Sequence, residues 1–155
     1  MKIKEAINAI EISAKTIKDR DRYMIYLLKG KCFDKLKDFP SAVNEYQMAL
    51  QNAKELDLDD NIVGNLEFRL GWSMIRQREE IEEGVNRLIT ASELISDNVE
   101  ILLKLAGAIM SELPDKPDFI DKCSEALDRI IDMEPTNSEA LFLKGKLLHQ
   151  LENFE

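Results

Sequence analysis

The stretch that decides the fold lies at residues 23–50 and reads YMIYLLKGKCFDKLKDFPSAVNEYQMAL. Apolar residues recur at helical spacing on both sides of a break at residues 37–40, which predicts two helices joined by a tight turn. Pro40 suits the first turn of the second helix, and Asp38 or the residue after it is placed to cap that turn. The facing sides carry small residues that would let the two backbones approach closely, namely Gly30, Ala42 and Ala49. The pattern therefore predicts a helix hairpin that stacks against further hairpins.

This spacing resembles the tetratricopeptide (TPR) repeat, a helix-turn-helix unit of about 34 residues. The matching positions are Tyr26, Gly30, Phe33, Phe39, Ala42, Tyr46, Ala49 and Leu50. The resemblance implies an all-α fold, a right-handed α-solenoid of stacked antiparallel hairpins that forms a TPR-like superhelix of seven to eight helices.

Further stretches of the chain repeat the pattern, so we predict a single array over residues 1–155. Its parts are an N-terminal helix at 2–18, repeat 1 at 23–57, repeat 2 at 61–96, repeat 3 with a turn insertion at 97–135, and the first helix of repeat 4 at 136–155. The N-terminal helix has an apolar stripe that we expect to pack against repeat 1, formed by Ile3, Ile7, Ile10, Ala14 and Ile17.

The repeats differ in how closely they follow the pattern. In repeat 2, Glu67 stands where repeat 1 has the aromatic Tyr26, and in repeat 3 the segment LPDKPD at 113–118 lengthens the turn. Repeat 4 follows the pattern of repeat 1 more closely, since LFLKGK at 141–146 parallels YLLKGK at 26–31, and Phe154 parallels Phe39. We expect repeat 4 to be truncated, either in a piece of a longer array or with its end covered by another molecule. The alternative is a natural terminus with a frayed last helix. The apolar residues left open there would be Leu141, Leu148 and Leu151.

Polar residues mark the predicted starts of the later helices. One of Asp59, Asp60 and Asn61 is expected to cap the first helix of repeat 2. The pairs Asp97 with Glu100 and Thr136 with Glu139 have the spacing of capping boxes, in which two side chains cap one helix start reciprocally.

Composition argues against nucleic-acid-binding, membrane-spanning and secreted proteins. The 155 residues carry a formal charge of −9, and residues 79–155 hold 18 acidic and only 7 basic side chains. An acidic surface argues against nucleic-acid binding, which needs cations for the phosphates. No apolar run is long enough to span a membrane, the N-terminus is a poor secretory signal, and the 2 cysteines, Cys32 and Cys123, are expected to be buried thiols. These features indicate a cytoplasmic protein.

The sequence offers no arrangement typical of catalysis. His149 is the only histidine, and no GxSxG elbow or glycine-rich phosphate loop is present. The acidic residues at 57–60 lack the ligand spacing of an EF-hand. We therefore expect no enzymatic activity, no cofactor and no metal.

The resemblance implies a concave groove, lined by the first helix of each repeat, that binds a peptide or segment of a partner protein. Projection of the helix faces gives the groove residues Leu27, Lys31, Asp34 and Lys35, then Asn65, Phe68, Arg69, Trp72 and Arg76, then Leu103, Lys104 and Met110, and finally Phe142, Lys146 and His149. Recurring cations beside apolar anchors favour an acidic and apolar peptide. The alternative is that Phe68 and Trp72 pack against a neighbouring repeat and that the cations only keep the surface soluble.

Chaperone-binding TPR domains hold a C-terminal carboxylate with a clamp of lysine, asparagine and arginine. At the matching positions here, Leu27, Arg69 and Glu100 depart from the clamp, and only Lys104 keeps a cation where one is expected. We therefore do not expect a chaperone carboxylate as ligand. Two other functions remain open, namely homo-oligomerisation through an uncovered end and a docking or regulatory part of a larger enzyme.

Overall fold

The computed structural model describes residues 2–152, and within them the chain is helical throughout with no β-strand. The eight α-helices are α1 (Lys2–Ser13), α2 (Arg22–Leu36), α3 (Phe39–Glu55), α4 (Asp60–Gln77), α5 (Ile81–Leu94), α6 (Val99–Glu112), α7 (Pro117–Met133) and α8 (Ser138–Glu152). A short 3-10 helix at Asp19–Asp21 precedes α2. The predicted all-α class with seven to eight helices is confirmed.

The helices form two compact units, an N-terminal unit (Met1–Leu94) and a C-terminal unit (Ile95–Glu155). Within each unit, helices that follow one another in the chain pack side by side: α1 on α2, α2 on α3, α3 on α4 and α4 on α5 in the first, α6 on α7 and α7 on α8 in the second. Such nearest-neighbour packing is typical of helical-repeat proteins. The border between the units lies after Leu94, two residues before the end of predicted repeat 2, and the single array over residues 1–155 stays a prediction.

The turn between α2 and α3 has the predicted chemistry. The Asp38 carboxylate accepts a hydrogen bond from the Ser41 backbone N–H at 3.2 Å, and Pro40 lies in the first turn of α3. Lys37 ends α2 in the left-handed region, with φ 59°. A reversal of only two residues places α3 antiparallel to α2 and keeps the two helices in contact over their length.

An aromatic ring packs between α2 and α3. Tyr46 of α3 is fully buried, and a Cβ at Gly30 of α2 would lie 2.5 Å from its ring. Only glycine leaves room for that ring. The core of the unit continues from α3 into α4 through Ala42, Ala49, Leu50, Ala53, Val63, Leu66, Leu70 and Met74.

In the C-terminal unit, α6 and α7 meet along a row of buried aliphatic residues. The Cys123 thiol of α7 donates to the Ala106 carbonyl of α6 at 3.7 Å. The predicted turn insertion connects these two helices, and its Pro114 carbonyl accepts from the Gln150 side chain of α8 at 2.9 Å. The inserted turn is therefore tied to the last helix.

Three expectations about helix ends are wrong. Helix α1 ends at Ser13 and not at residue 18, because the Ser13 hydroxyl bonds the Ile10 carbonyl and the Thr16 hydroxyl bonds the Ser13 carbonyl, which offers the backbone an alternative to the helix. The caps assigned to Asp97 and Thr136 belong to the next residues. Asn98 accepts from the Ile101 N–H, and Asn137 accepts from the Ala140 N–H. Asparagine is among the strongest capping residues, and here it lies directly before the helix.

Two further predictions concern the cap of α4 and the end of the chain. Asp59 is the cap of α4, one of the three candidates for that position. The predicted parallel between Phe154 and Phe39 lies outside the described residues.

Candidate protein-interaction surface

Helices α2 and α4 enclose a pocket on the surface of the N-terminal unit. Its volume is about 280 Å³, and its walls are Tyr23, Leu27 and Lys31 from α2 with Asn61, Ile62, Asn65, Leu66 and Arg69 from α4. Residues 23, 27 and 31 are spaced i, i+4 and i+8, so α2 presents one continuous strip to the pocket.

Four of the predicted groove residues meet in this pocket: Leu27, Lys31, Asn65 and Arg69. The sequence analysis missed Tyr23, although it lies one turn before Leu27 on the same helix face and could have been found from that spacing. The structure therefore brings the predicted residues of α2 and α4 to one place. Their role in binding stays a prediction.

Two cations lie side by side in the pocket. Burial, and after it the positive charge of Arg69, lowers the pKa of the Lys31 ammonium. No carboxylate of residues 2–152 forms an ion pair with Lys31. An anionic group placed between the two side chains would relieve their repulsion.

Arg69 also belongs to a polar cluster below the pocket. The Tyr46 hydroxyl donates to one Asp34 oxygen at 2.8 Å, and the Ser73 hydroxyl donates to the other at 2.8 Å. Burial, followed by the hydrogen bond to Asp34, raises the pKa of Tyr46, while Arg69 acts in the opposite direction. The cluster joins α2, α3 and α4.

Asp34, another of the predicted groove residues, does not line the pocket, and its role in binding stays a prediction. Both of its oxygens accept hydrogen bonds from within the protein.

The remaining predicted residues of this unit do not line the pocket. Arg76 is exposed, and its guanidinium lies over the Phe39 ring at 4.8 Å from the ring centre. Phe68 and Trp72 are half-buried on α4, and Lys35 is exposed near the end of α2.

The predicted residues of the C-terminal unit lie on α6 and α8. On α6, Leu103 and Met110 are half-buried and Lys104 is exposed. On α8, Phe142 is 66% exposed and has the Lys146 ammonium over its ring at 5.7 Å, and His149 is exposed one turn later.

The cysteines differ in burial. Cys123 is fully buried as expected, and burial raises the pKa of its thiol to about 11. The thiol therefore stays protonated near neutral pH, which makes it a poor nucleophile and metal ligand. Cys32 is only half-buried, contrary to expectation.

Two further features of the described part of the chain bear on its class. No group of three or more His, Cys, Asp and Glu side chains within residues 2–152 is placed to hold a metal ion. Over the same residues, none of the helices combines the length and the apolar character needed to cross a membrane.

Comparison with solved structures supports the fold. The chain has the fold of a helical-repeat protein. It is similar to the crystal structure of BtubC (BKLC) from P. vanneervenii, with a TM-score of 0.74 and 15% identity over 98% of this chain, which spans 65% of the BtubC chain. It is also similar to the crystal structure of MamA, with a TM-score of 0.59 and 20% identity over 97% of this chain and 90% of MamA.

No protein-family profile matches the chain. No curated protein sequence matches it either.

Proposed function

We propose that this chain is a non-catalytic protein-interaction module made of TPR-like repeats, and that it binds a partner segment carrying a carboxylate beside apolar side chains. The pocket between α2 and α4 is the observation that supports this function. It is concave, Lys31 and Arg69 make it cationic, and Leu27 of α2 and Ile62 of α4 make part of its lining apolar.

The chemistry of the pocket favours a carboxylate over a neutral ligand. Lys31 loses solvation through partial burial and is repelled by Arg69, so its surroundings in the protein disfavour its charged form. A bound carboxylate would favour the charged form of Lys31 and accept charge-assisted hydrogen bonds from both side chains. Tyr23 and Leu27 would then contact an apolar side chain of the same ligand.

Asn65 adds a contact suited to an extended peptide. Its side-chain amide donates to the Asn61 carbonyl at 2.8 Å, which fixes the amide and leaves its carbonyl oxygen able to accept from a peptide N–H. A peptide running along α4 would therefore meet an acceptor beside the cations. The TPR assignment rests on the repeated hairpins and on the residues of repeat 1, Tyr26 to Leu50.

Selection from an unbiased peptide library tests the proposal. We expect enrichment of peptides with an acidic residue next to an apolar one, and loss of at least about tenfold in affinity for Lys31→Glu, since the new carboxylate repels the ligand. Lys4→Glu is the matched control, because it makes the same charge change at an exposed position of α1 outside the pocket. Equal binding by both variants, or no acidic enrichment, would show that the pocket is not the binding site.

The pH dependence of binding gives a second readout. Burial and the charge of Arg69 lower the pKa of Lys31, so affinity for the selected peptide should fall with rising pH, and it should do so at a lower pH than an ordinary lysine would cause. Lys31→Arg should keep the affinity and remove this dependence, because a guanidinium does not titrate there. A pH profile that is the same in both proteins would contradict the role of Lys31.

A further inference from the structure

The pocket between α2 and α4 presents its side chains at regular intervals along both helices. Two sets of lining residues are each spaced one helical turn apart: the α2 strip, which is Tyr23, Leu27 and Lys31, and the α4 strip, which is Asn61, Asn65 and Arg69. Because an α-helix rises about 1.5 Å per residue, neighbouring members of a strip are about 6 Å apart along the helix.

The two strips run in the same direction. Helix α3 is antiparallel to α2, and α4 is antiparallel to α3, because only residues 56–59 separate two helices that pack side by side. Lys31 and Arg69 therefore lie at the same end of their strips. This agrees with the pKa of Lys31, which burial and, after it, the charge of Arg69 lower. From that end, the α2 strip continues to the apolar side chain of Leu27 and then to the ring of Tyr23.

An extended peptide matches the interval of the α2 strip. Its side chains alternate between two sides, and those two residues apart lie on the same side at a separation of about 6.6 Å. Over four residues an extended peptide covers about 13 Å, against about 12 Å between Tyr23 and Lys31 along α2. Every second side chain of such a peptide would therefore meet a member of the strip.

A helical ligand could offer the same interval, since residues four apart on a helix are also about 6 Å apart along its axis. Its backbone groups are bonded within the helix, however, whereas those of an extended peptide are free to pair with the pocket. Asn65 is exposed, and its amide is held by the Asn61 carbonyl at 2.8 Å, so its own side-chain oxygen can accept from a peptide N–H. The α4 strip therefore favours an extended ligand.

We propose that the partner segment is extended and carries an acidic residue with apolar residues two and four positions away from it. The acidic side chain contacts Lys31 and Arg69, the nearer apolar side chain contacts Leu27, and the farther one contacts Tyr23. The residues between them point away from the α2 strip and are free to vary. This inference rests on the proposed function and narrows it from a composition to a fixed spacing.

Short fluorescent peptides test this spacing. The probes are Ser-Asp-Ser-Leu-Ser-Leu-Ser and its reversal, Ser-Leu-Ser-Leu-Ser-Asp-Ser, which cover both directions of binding. We expect the full chain to bind one of them in an anisotropy titration, at least about tenfold more tightly than Ser-Ser-Asp-Leu-Leu-Ser-Ser, which has the same composition without the spacing. A stapled helical peptide that carries the same three side chains at intervals of four residues should bind more weakly than the extended probe.

Methylation of the peptide N–H groups, one at a time, tests the backbone contact. At one position, methylation should weaken binding to the wild type at least about fivefold but leave binding to Asn65→Ala unchanged, because that variant has already lost the acceptor. Asn44→Ala is the matched control, an exposed position of α3 outside the pocket, and it should respond to methylation as the wild type does. Circular dichroism checks the fold of both variants.

The outcomes separate this inference from the proposed function. Equal binding of the spaced and unspaced peptides, or tighter binding of the helical one, would overturn the spacing alone, as long as Lys31→Glu still weakens binding. A methylation effect that is the same in Asn65→Ala and the wild type would overturn the backbone contact and with it the extended ligand. If none of the probes binds, the peptides selected from the library decide: acidic and apolar residues at another spacing would overturn this inference alone, and no acidic enrichment would overturn both.

Discussion

At the scale of single residues, Glu67 is the most unusual feature of the chain. Its side chain is only 3% exposed, and it accepts from Lys54 of α3 at 2.7 Å and from Arg87 of α5 at 2.8 Å. A buried carboxylate is tolerated when its oxygens are paired with cations. Glu67 therefore links three helices through charge at the position where repeat 1 uses the ring of Tyr26.

The two cations should differ in their contribution to stability. Arg87→Met would leave a buried carboxylate half-paired and should lower the free energy of unfolding by about 3 kcal/mol. Lys54 is 54% exposed, so Lys54→Met should cost less than about 1 kcal/mol. Urea unfolding of the two variants measures the difference. Equal losses would mean that Glu67 does not depend on the half-buried Arg87 more than on the exposed Lys54.

The sequence showed that Glu67 departs from the repeat pattern but could not show why. Its partners lie 13 residues before it and 20 residues after it, and only the packing of α3 and α5 on α4 brings them together. The helix caps, too, could be predicted from the sequence only in part. Asp38 follows from its position before Pro40, whereas Asn98 stands next to another good capping residue, so the choice depends on where the helix begins.

At the scale of helices, α4 and α5 approach each other through two glycines. A Cβ at Gly71 would lie 2.5 Å from the Gly84 carbonyl oxygen and 2.9 Å from the Arg87 Cβ. The obstacle at Gly84 is backbone, which cannot rotate away. The hairpin therefore needs glycine at position 71.

Gly71→Ala should destabilise the protein by about 1–2 kcal/mol, because the helices must move apart. Gly107→Ala is the matched control in the middle of α6, where a Cβ meets nothing within 4 Å. It should stabilise the protein by up to about 1 kcal/mol through higher helix propensity. Thermal unfolding of both variants measures the effects. Stabilisation by both would show that α4 and α5 pack more loosely than the glycine contact implies.

Helix positions were more predictable than helix ends. The apolar period of 3.6 residues marks each helix, and Pro40 and Pro117 both lie in the first turn of one. The end of α1 was not predictable from that period, because Ile17 continues the stripe beyond the point where Ser13 and Thr16 interrupt the helix. For the pocket, the projection of helix faces assigned Lys31 and Arg69 to one groove, and both residues line the pocket between α2 and α4. The sequence could not show that Asp34 accepts hydrogen bonds within the protein, because one of its donors, Ser73, comes from a third helix, α4.

At the scale of the whole molecule, stability should fall at alkaline pH. Among residues 2–152, the pKa is raised for Lys29 through its hydrogen bond to Glu45, for Tyr46 through burial, and for Cys123 through burial. Each keeps its proton when the unfolded chain has already lost it, so the stability that they contribute is complete below the unfolded values and is lost above them. Lys31 has a lowered pKa and acts in the opposite direction, and among the groups named here the raised pKa values set the expected sign.

Urea unfolding between pH about 7.5 and about 10.5 measures this fall, since the unfolded values lie near 8.5 for cysteine and 10 for tyrosine and lysine. Cys123→Ala removes one of the three groups and should make the fall shallower above pH about 8.5. A midpoint that stays constant or rises over this range would contradict the expected sign.

The pairing of Glu67 also limits how freely the hairpins can be exchanged. In an ideal repeat protein each unit is modular, and units can be deleted, duplicated or moved into chimaeras. Here the carboxylate in the hairpin of α4 and α5 takes one cation from its own hairpin and the other from the preceding one. A graft of this hairpin would therefore have to carry Lys54, Glu67 and Arg87 together, which fixes the order of the first two hairpins in the chain.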